Sequence, residues 1–185
     1  MNDPIEQYLA HYAEAKSKAC AKTFSTHAVT KHCRYKQVVV VPCFSETPTF
    51  AERILKSTLW TQSVLMIVVI NQAENTTIDR RNQILWDSFA NRDNSEHLNS
   101  TFLFCPAKKT NSDVPTSAFL VINCFEENQQ LPEKQGVGLA RKIGSDLALA
   151  LQVQDFIESD WIYSCLLYTS PSPRDLSTSR MPSSA

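Results

Sequence analysis

Two uninterrupted apolar runs, VVVV at residues 38–41 and VLMIVVI at residues 64–70, constrain this chain more than any other feature. A segment with one wet face alternates or recurs in its apolar residues; a run with no polar interruption needs apolar cover on both sides. Both runs fall well short of the roughly 18 residues that a membrane helix requires. They read as two strands, residues 37–42 and 64–70, buried on both faces, which is the pattern of a parallel sheet sandwiched between helices.

The segments between and around these runs supply the helices. Near the start, Ile5, Tyr8, Leu9 and Tyr12 recur at spacings of three and four, with Asn2 or Asp3 as cap and Pro4 in the first turn, and this helix is expected to pack on the main domain. Thr47 and Pro48 open a second helix whose face carries Phe50, Ile54, Leu55 and Leu59. A polar loop at 71–77 leads to a third, marked by Ile78, Ile84, Leu85, Trp86 and Phe89. Residues 101–105 and 118–125 read as strands separated by a loop at 106–115. The last helix begins at the glycine pair of KQGVGLARKIGSDLALAL, runs to about residue 152 and places Leu139, Ile143, Leu147 and Leu151 on one side. Residues 160–164, DWIYS, are then expected to return to the sheet as a buried strand. The resulting architecture is a Rossmann-like α/β fold of mostly parallel strands flanked by helices. It divides into a helical extension (1–36), one domain (37–164) and a Ser/Pro-rich tail (165–185).

With 18 basic and 19 acidic residues the charge nearly cancels, which removes the bulk electrostatic attraction that gathers nucleic acid or an anionic membrane surface. The six cysteines form no CxxC pair and resemble neither a zinc site nor a disulfide framework, so a reducing cytoplasmic setting suits them. The N-terminus lacks the apolar core of a signal peptide, and this portion has no membrane segment.

Ligands of open parallel sheets bind at the carboxyl ends of the strands, so residues 42–46, residues 71–75 and the loop before Gly136 are expected to converge on one crevice. There Glu46 and Asn71 offer acceptors, the helix start near Gly138 offers unpaired amides for phosphate, and Lys134, Arg141 and Lys142 add positive charge. Each has a plainer explanation alone: glycines at a helix start for close packing, Glu46 as a solvated loop residue, Asn71 as a turn residue, Arg141 and Lys142 as a solvated helix face. Cys43, at a strand end, raises a cysteine hydrolase, but no histidine partner can be located from the sequence. His27, His32 and Cys33 are too few and wrongly spaced for a metal site.

Together the segments form a recognisable set. PCFSE at 42–46 resembles the P-x-[FY]-N-E opening of family 2-type glycosyltransferases, VVIN at 68–71 their second-strand segment, and GVGLARKIGSD at 136–146 their glycine-led helix. The resemblance covers residues 38–164. It implies a GT-A fold and transfer of a sugar from a nucleotide-sugar donor, UDP-linked sugars among the candidates, to an acceptor. It assigns nucleotide-sugar binding to Pro42, Glu46, Asn71, Gly136, Gly138 and Arg141. Ser45 stands where the family has Asn, and Asn71 where many members have Asp. The family's D-x-D motif, which holds a divalent cation (Mg or Mn), and its catalytic base would follow Ser164, so catalytic residues are expected beyond that point and no metal ligand within the chain. Membrane association of the parent protein would likewise come from later segments. A nucleotidyltransferase would carry a glycine-rich loop where this chain has CFSETPT; a noncatalytic nucleotide-sugar-binding or interaction module is the remaining alternative.

From Cys165 the words CLLYTSPSPRD and SRMPSSA resemble a translated sequencing adaptor, so the native sequence is expected to stop near Ser164, leaving a fragment with no transferase activity and weak nucleotide affinity. Resequencing the source DNA through the Ser164 codon from an internal primer should reveal a frame continuing into a D-x-D motif. Genomic DNA that encodes CLLYTSPSPRD would overturn that expectation.

Overall fold

The computed structural model describes residues 3–107, 117–165 and 167. Asn2, most of the loop expected at 106–115 and nearly all of the tail lie outside them. Among the described residues six strands form one sheet in the order β3-β4-β5-β2-β1-β6, where β1 is Gln37–Cys43, β2 Val64–Asn71, β3 Glu96–His97, β4 Phe102–Pro106, β5 Ala118–Cys124 and β6 Ile162–Ser164. β5, β2, β1 and β6 run parallel, while at one side β4 pairs antiparallel with β5 and β3 antiparallel with β4. Five helices among the described residues flank it: α1 (Pro4–His11), α2 (Ala15–Thr26), α3 (Thr49–Leu55), α4 (Arg80–Ala90) and α5 (Gly136–Val153).

The two apolar runs lie at the centre, and their residues sort by parity as a pleated strand requires. Leu65, Ile67 and Val69 of β2 join Val38 and Val40 of β1 in a core beneath α5 and α2. Met66, Val68 and Ile70 join Val41 in a second core beneath α3 and α4. Burying each of these side chains contributes about 1.5–3 kcal/mol, and cover on both faces is what makes a run of consecutive apolar residues favourable in water.

The first helix forms with Asp3 accepting the Ile5 amide as its cap, but of the expected face only Tyr8 and Leu9 turn inward, Ile5 and Tyr12 being exposed and Tyr12 lying past the helix end. It is tied down through Asp146 of α5, a buried carboxylate that accepts from the Tyr8 hydroxyl (2.8 Å), the Glu14 amide (2.9 Å) and Lys142 Nζ (2.7 Å). The second helix, α2, has no counterpart in the periodicity reading. Its buried face is Ser17, Cys20, Ala21 and Phe24, too small and too polar to stand out, yet Phe24 packs edge-on against Phe104 and Phe156.

Three local expectations are corrected. α3 ends at Leu55, and Leu59 belongs to a separate 3₁₀ turn at Thr58–Thr61, because the Ser57 hydroxyl caps the Ile54 carbonyl at 2.7 Å. Ile78 precedes α4, which Asp79 caps, and Ile84 faces outward. β6 is no buried strand: among the described residues it pairs only with β1, and Trp161 is 74% and Tyr163 50% exposed.

Of the three glycines, Gly144 is the one required by packing. A Cβ built there overlaps Cγ1 of Val40 and meets Cγ2 of Val69 at 3.4 Å, so α5 sits on β1 and β2 as closely as a bare backbone allows. Gly144→Ala is expected to lower stability in urea unfolding, since overpacking costs about 1–3 kcal/mol against the ~1 kcal/mol that alanine gains within a helix. V40A/G144A should recover part of the loss, and Gly138→Ala, with no atom within 4 Å of its Cβ, should cost nothing. A more stable G144A would contradict the contact.

Candidate functional site

The β1–β2 register runs to Cys43↔Ile70, and beyond it the two chains part, β1 into Phe44, Ser45 and Glu46, β2 into Asn71 and Gln72. Between them opens a cleft of about 330 Å³. Phe44 forms one lip, Asn71, Gln72 and Ala73 the β2 side, Thr76, Thr77 and Asp79 the loop side, and Gly136 and Val137 at the start of α5 the opposite wall. Among the described residues helix α5 begins without a side-chain cap, which leaves its first amides to another acceptor.

Strands that separate lose ladder partners, and here side-chain amides replace them. Asn71 Nδ2 donates to the Cys43 carbonyl (2.8 Å) and more weakly to Val69 (3.4 Å), leaving its Oδ1 without a hydrogen bond among the described residues. Gln72 is fully engaged: Nε2 donates to Thr76 Oγ1 (2.9 Å) and the Thr77 carbonyl (2.6 Å), and Oε1 accepts from the Asp79 amide (2.8 Å) and Asn82 Nδ2 (3.2 Å). Asn82, on the buried side of α4, accepts from the Ser45 amide at 2.9 Å and donates to the Asn71 carbonyl at 3.3 Å. Arg81 Nη1 reaches Ser45 Oγ at 3.2 Å. Asp79 accepts the Arg81 amide at 2.8 Å, and this bond, with that of Ser45, holds its carboxyl below the usual range.

The expected residues separate into two groups. Asn71 and Gly136 line the cleft. Pro42 lies beneath it as a buried β1 residue opposite Val69. Gly138 and Arg141 are exposed and outside the lining. Lys142 faces α1 and α2, bonded to the Tyr12 carbonyl (2.8 Å), Asp146 (2.7 Å) and Glu14 (3.2 Å), and adds no charge to the cleft. Among the described residues no atom approaches a Cβ at Gly136 or Gly138 within 4 Å, so close packing there does not explain that pair; Gly136 does take a φ of +22°. Glu46 is 6% exposed rather than solvated. It makes no hydrogen bond among the described residues, and burial pushes its carboxyl above the ordinary value.

Phe44 and Gln72 fall within the expected segments 42–46 and 71–75 without being singled out there, and Thr76, Thr77, Asp79 and Asn82 lie outside them. A signal existed for Asn82, a polar residue at i, i+3, i+4 and i+7 with Leu85, Trp86 and Phe89 on the apolar stripe of α4. The thiol reading of Cys43 meets a buried Sγ whose pKa burial drives well above the usual value, the opposite of an activated nucleophile. Among the described residues no group of three or more His, Cys, Asp or Glu could hold a metal ion, and no helix is long and apolar enough to cross a membrane. No family model, no curated protein and no solved structure matches the chain.

Glu46 yields a pH test. Its folded-state pKa lies above its unfolded one, so the proton is released sooner on unfolding. Its stabilising contribution is present below the ordinary glutamate range and lost as pH rises through the raised value. Glu46→Gln should therefore raise the melting temperature at pH 7, with the gain shrinking toward pH 4. An equal effect at both pH values would contradict the unpaired, desolvated carboxylate.

Proposed function

We propose that residues 37–164 form the nucleotide-binding half of a GT-A-type glycosyltransferase, with the cleft between the ends of β1 and β2 holding the nucleoside diphosphate of a nucleotide-sugar donor. The observation that carries this reading is the cleft itself: a concave site at the carboxyl edge of a parallel sheet, walled on one side by an uncapped helix start. The similarity of PCFSE, VVIN and GVGLARKIGSD to that family supports it from the sequence.

The parts suggest an orientation. Phe44, 55% exposed at the lip, offers a ring face to a base, a contact of about 1–3 kcal/mol where bases stack on aromatic side chains. Asn71 Oδ1 is an acceptor for a base N–H, because its Nδ2 is committed to Cys43. Asp79 is held ionised, so it accepts ribose hydroxyls and repels phosphate. The diphosphate then falls on the opposite wall, against the first amides of α5 at Gly136 and Val137. The divalent cation that such an enzyme uses finds no ligand set among the described residues. Sugar transfer itself is assigned to residues outside this segment.

Titration of the purified chain with uridine diphosphate tests the reading. A dissociation constant of ~1 mM is expected, weakened roughly tenfold by Phe44→Ala. Val137→Glu should abolish binding without destabilising the helix, since an acid in the first turn favours it. Absence of saturable binding, or binding that both variants leave intact, would contradict the assignment.

A further inference from the structure

We propose that Asn82 is the positioning residue of this cleft, holding Ser45 in a left-handed conformation and thereby setting where Phe44 and Glu46 stand; the proposal rests on the nucleotide-binding reading above. Three observations lead to it. Ser45 has a φ of +56°, a region that a residue with a Cβ occupies only when its surroundings impose it. The atom that imposes it is Asn82 Oδ1, 2.9 Å from the Ser45 amide. Asn82 is itself wholly buried among Leu85, Trp86 and Phe89 on the apolar face of α4, a place where a leucine would pack at no polar cost.

The buried amide is spent on backbone and side-chain groups at the point where β1 and β2 diverge. Its Oδ1 takes the Ser45 N–H, and its Nδ2 is shared between the Asn71 carbonyl (3.3 Å) and Gln72 Oε1 (3.2 Å). One side chain on α4 therefore fixes the first turn after β1, the last residue of β2 and the glutamine that organises the loop to Asp79. Both lips of the cleft refer to it. Asn82 touches none of the cleft volume and acts through Ser45 and Gln72.

The experiment is a uridine diphosphate titration of the full chain and its variants, with hydrogen exchange at the Ser45 amide and a thermal melt on each. Asn82→Ala should expose the Ser45 amide to exchange and weaken binding roughly tenfold or more while a cooperative melt remains. S45G/N82A should regain affinity relative to N82A, because glycine takes a positive φ without steric cost; a purely structural role for Asn82 would leave the double variant no better. Should N82A fail to fold, Ser45→Val, whose branched side chain disfavours the positive φ while the amide bonded to Asn82 is kept, should fold and bind more weakly. Parent-like affinity in folded N82A or in S45V overturns this proposal alone. A parent chain with no uridine diphosphate binding overturns the nucleotide reading and this proposal with it.

Discussion

The contact of Gly144 with Val40 and Val69 fixes where everything else can be. It pins α5 across β1 and β2 at the closest approach the backbone permits, and it sets the helix along the strands as well as its height above them. From Gly144 back to Gly136 the helix rises about 12 Å. From Val40 to Phe44 an extended strand advances about 13 Å. The two ends therefore arrive at the same level, and the uncapped start of α5 stands over the place where β1 and β2 part. A larger residue at 144 lifts the helix from the sheet and takes a wall of the cleft with it.

Most of this frame was legible in the sequence, for a physical reason. Residues 38–41 and 64–70 are apolar without interruption and admit few placements other than central parallel strands. The Leu139, Ile143, Leu147, Leu151 series is long enough for its period to be unambiguous. Elements whose stability comes from tertiary contact were less legible. α2 buries small and polar residues, and its one large anchor, Phe24, carries no period. The antiparallel return of β4 against β5 depends on pairing, which composition does not encode. DWIYS reads as buried because Trp and Tyr favour strands and cores, yet those rings are exposed at an edge.

The site divides the same way. Topology brought residues 71–75 and the loop before Gly136 to one crevice, since the ends of parallel strands and the starts of their helices meet, and Asn71 and Gly136 do line the cleft there. Arg141 and Lys142 were read by charge and nearness in sequence, whereas one turn of helix decides which way each side chain points: Lys142 belongs to the Asp146 anchor of α1. The apolar stripe of α4 marks Asn82 as buried, but its bond to Ser45 crosses from another element, and the loop bonds of Gln72 depend on a turn that composition does not encode. Glu46 shows the opposite property, a buried carboxylate outside the cleft lining that nothing among the described residues neutralises.

The central claim is that a nucleoside diphosphate occupies the gap between the ends of β1 and β2, and amide chemical-shift mapping of the labelled chain during addition of uridine diphosphate tests it most directly. The account predicts saturable shifts confined to residues 44–46, 71–79 and 136–137, with the Asp146 anchor and the β6 edge unmoved. Shifts that centre elsewhere, or none as the ligand reaches millimolar concentration, would contradict it.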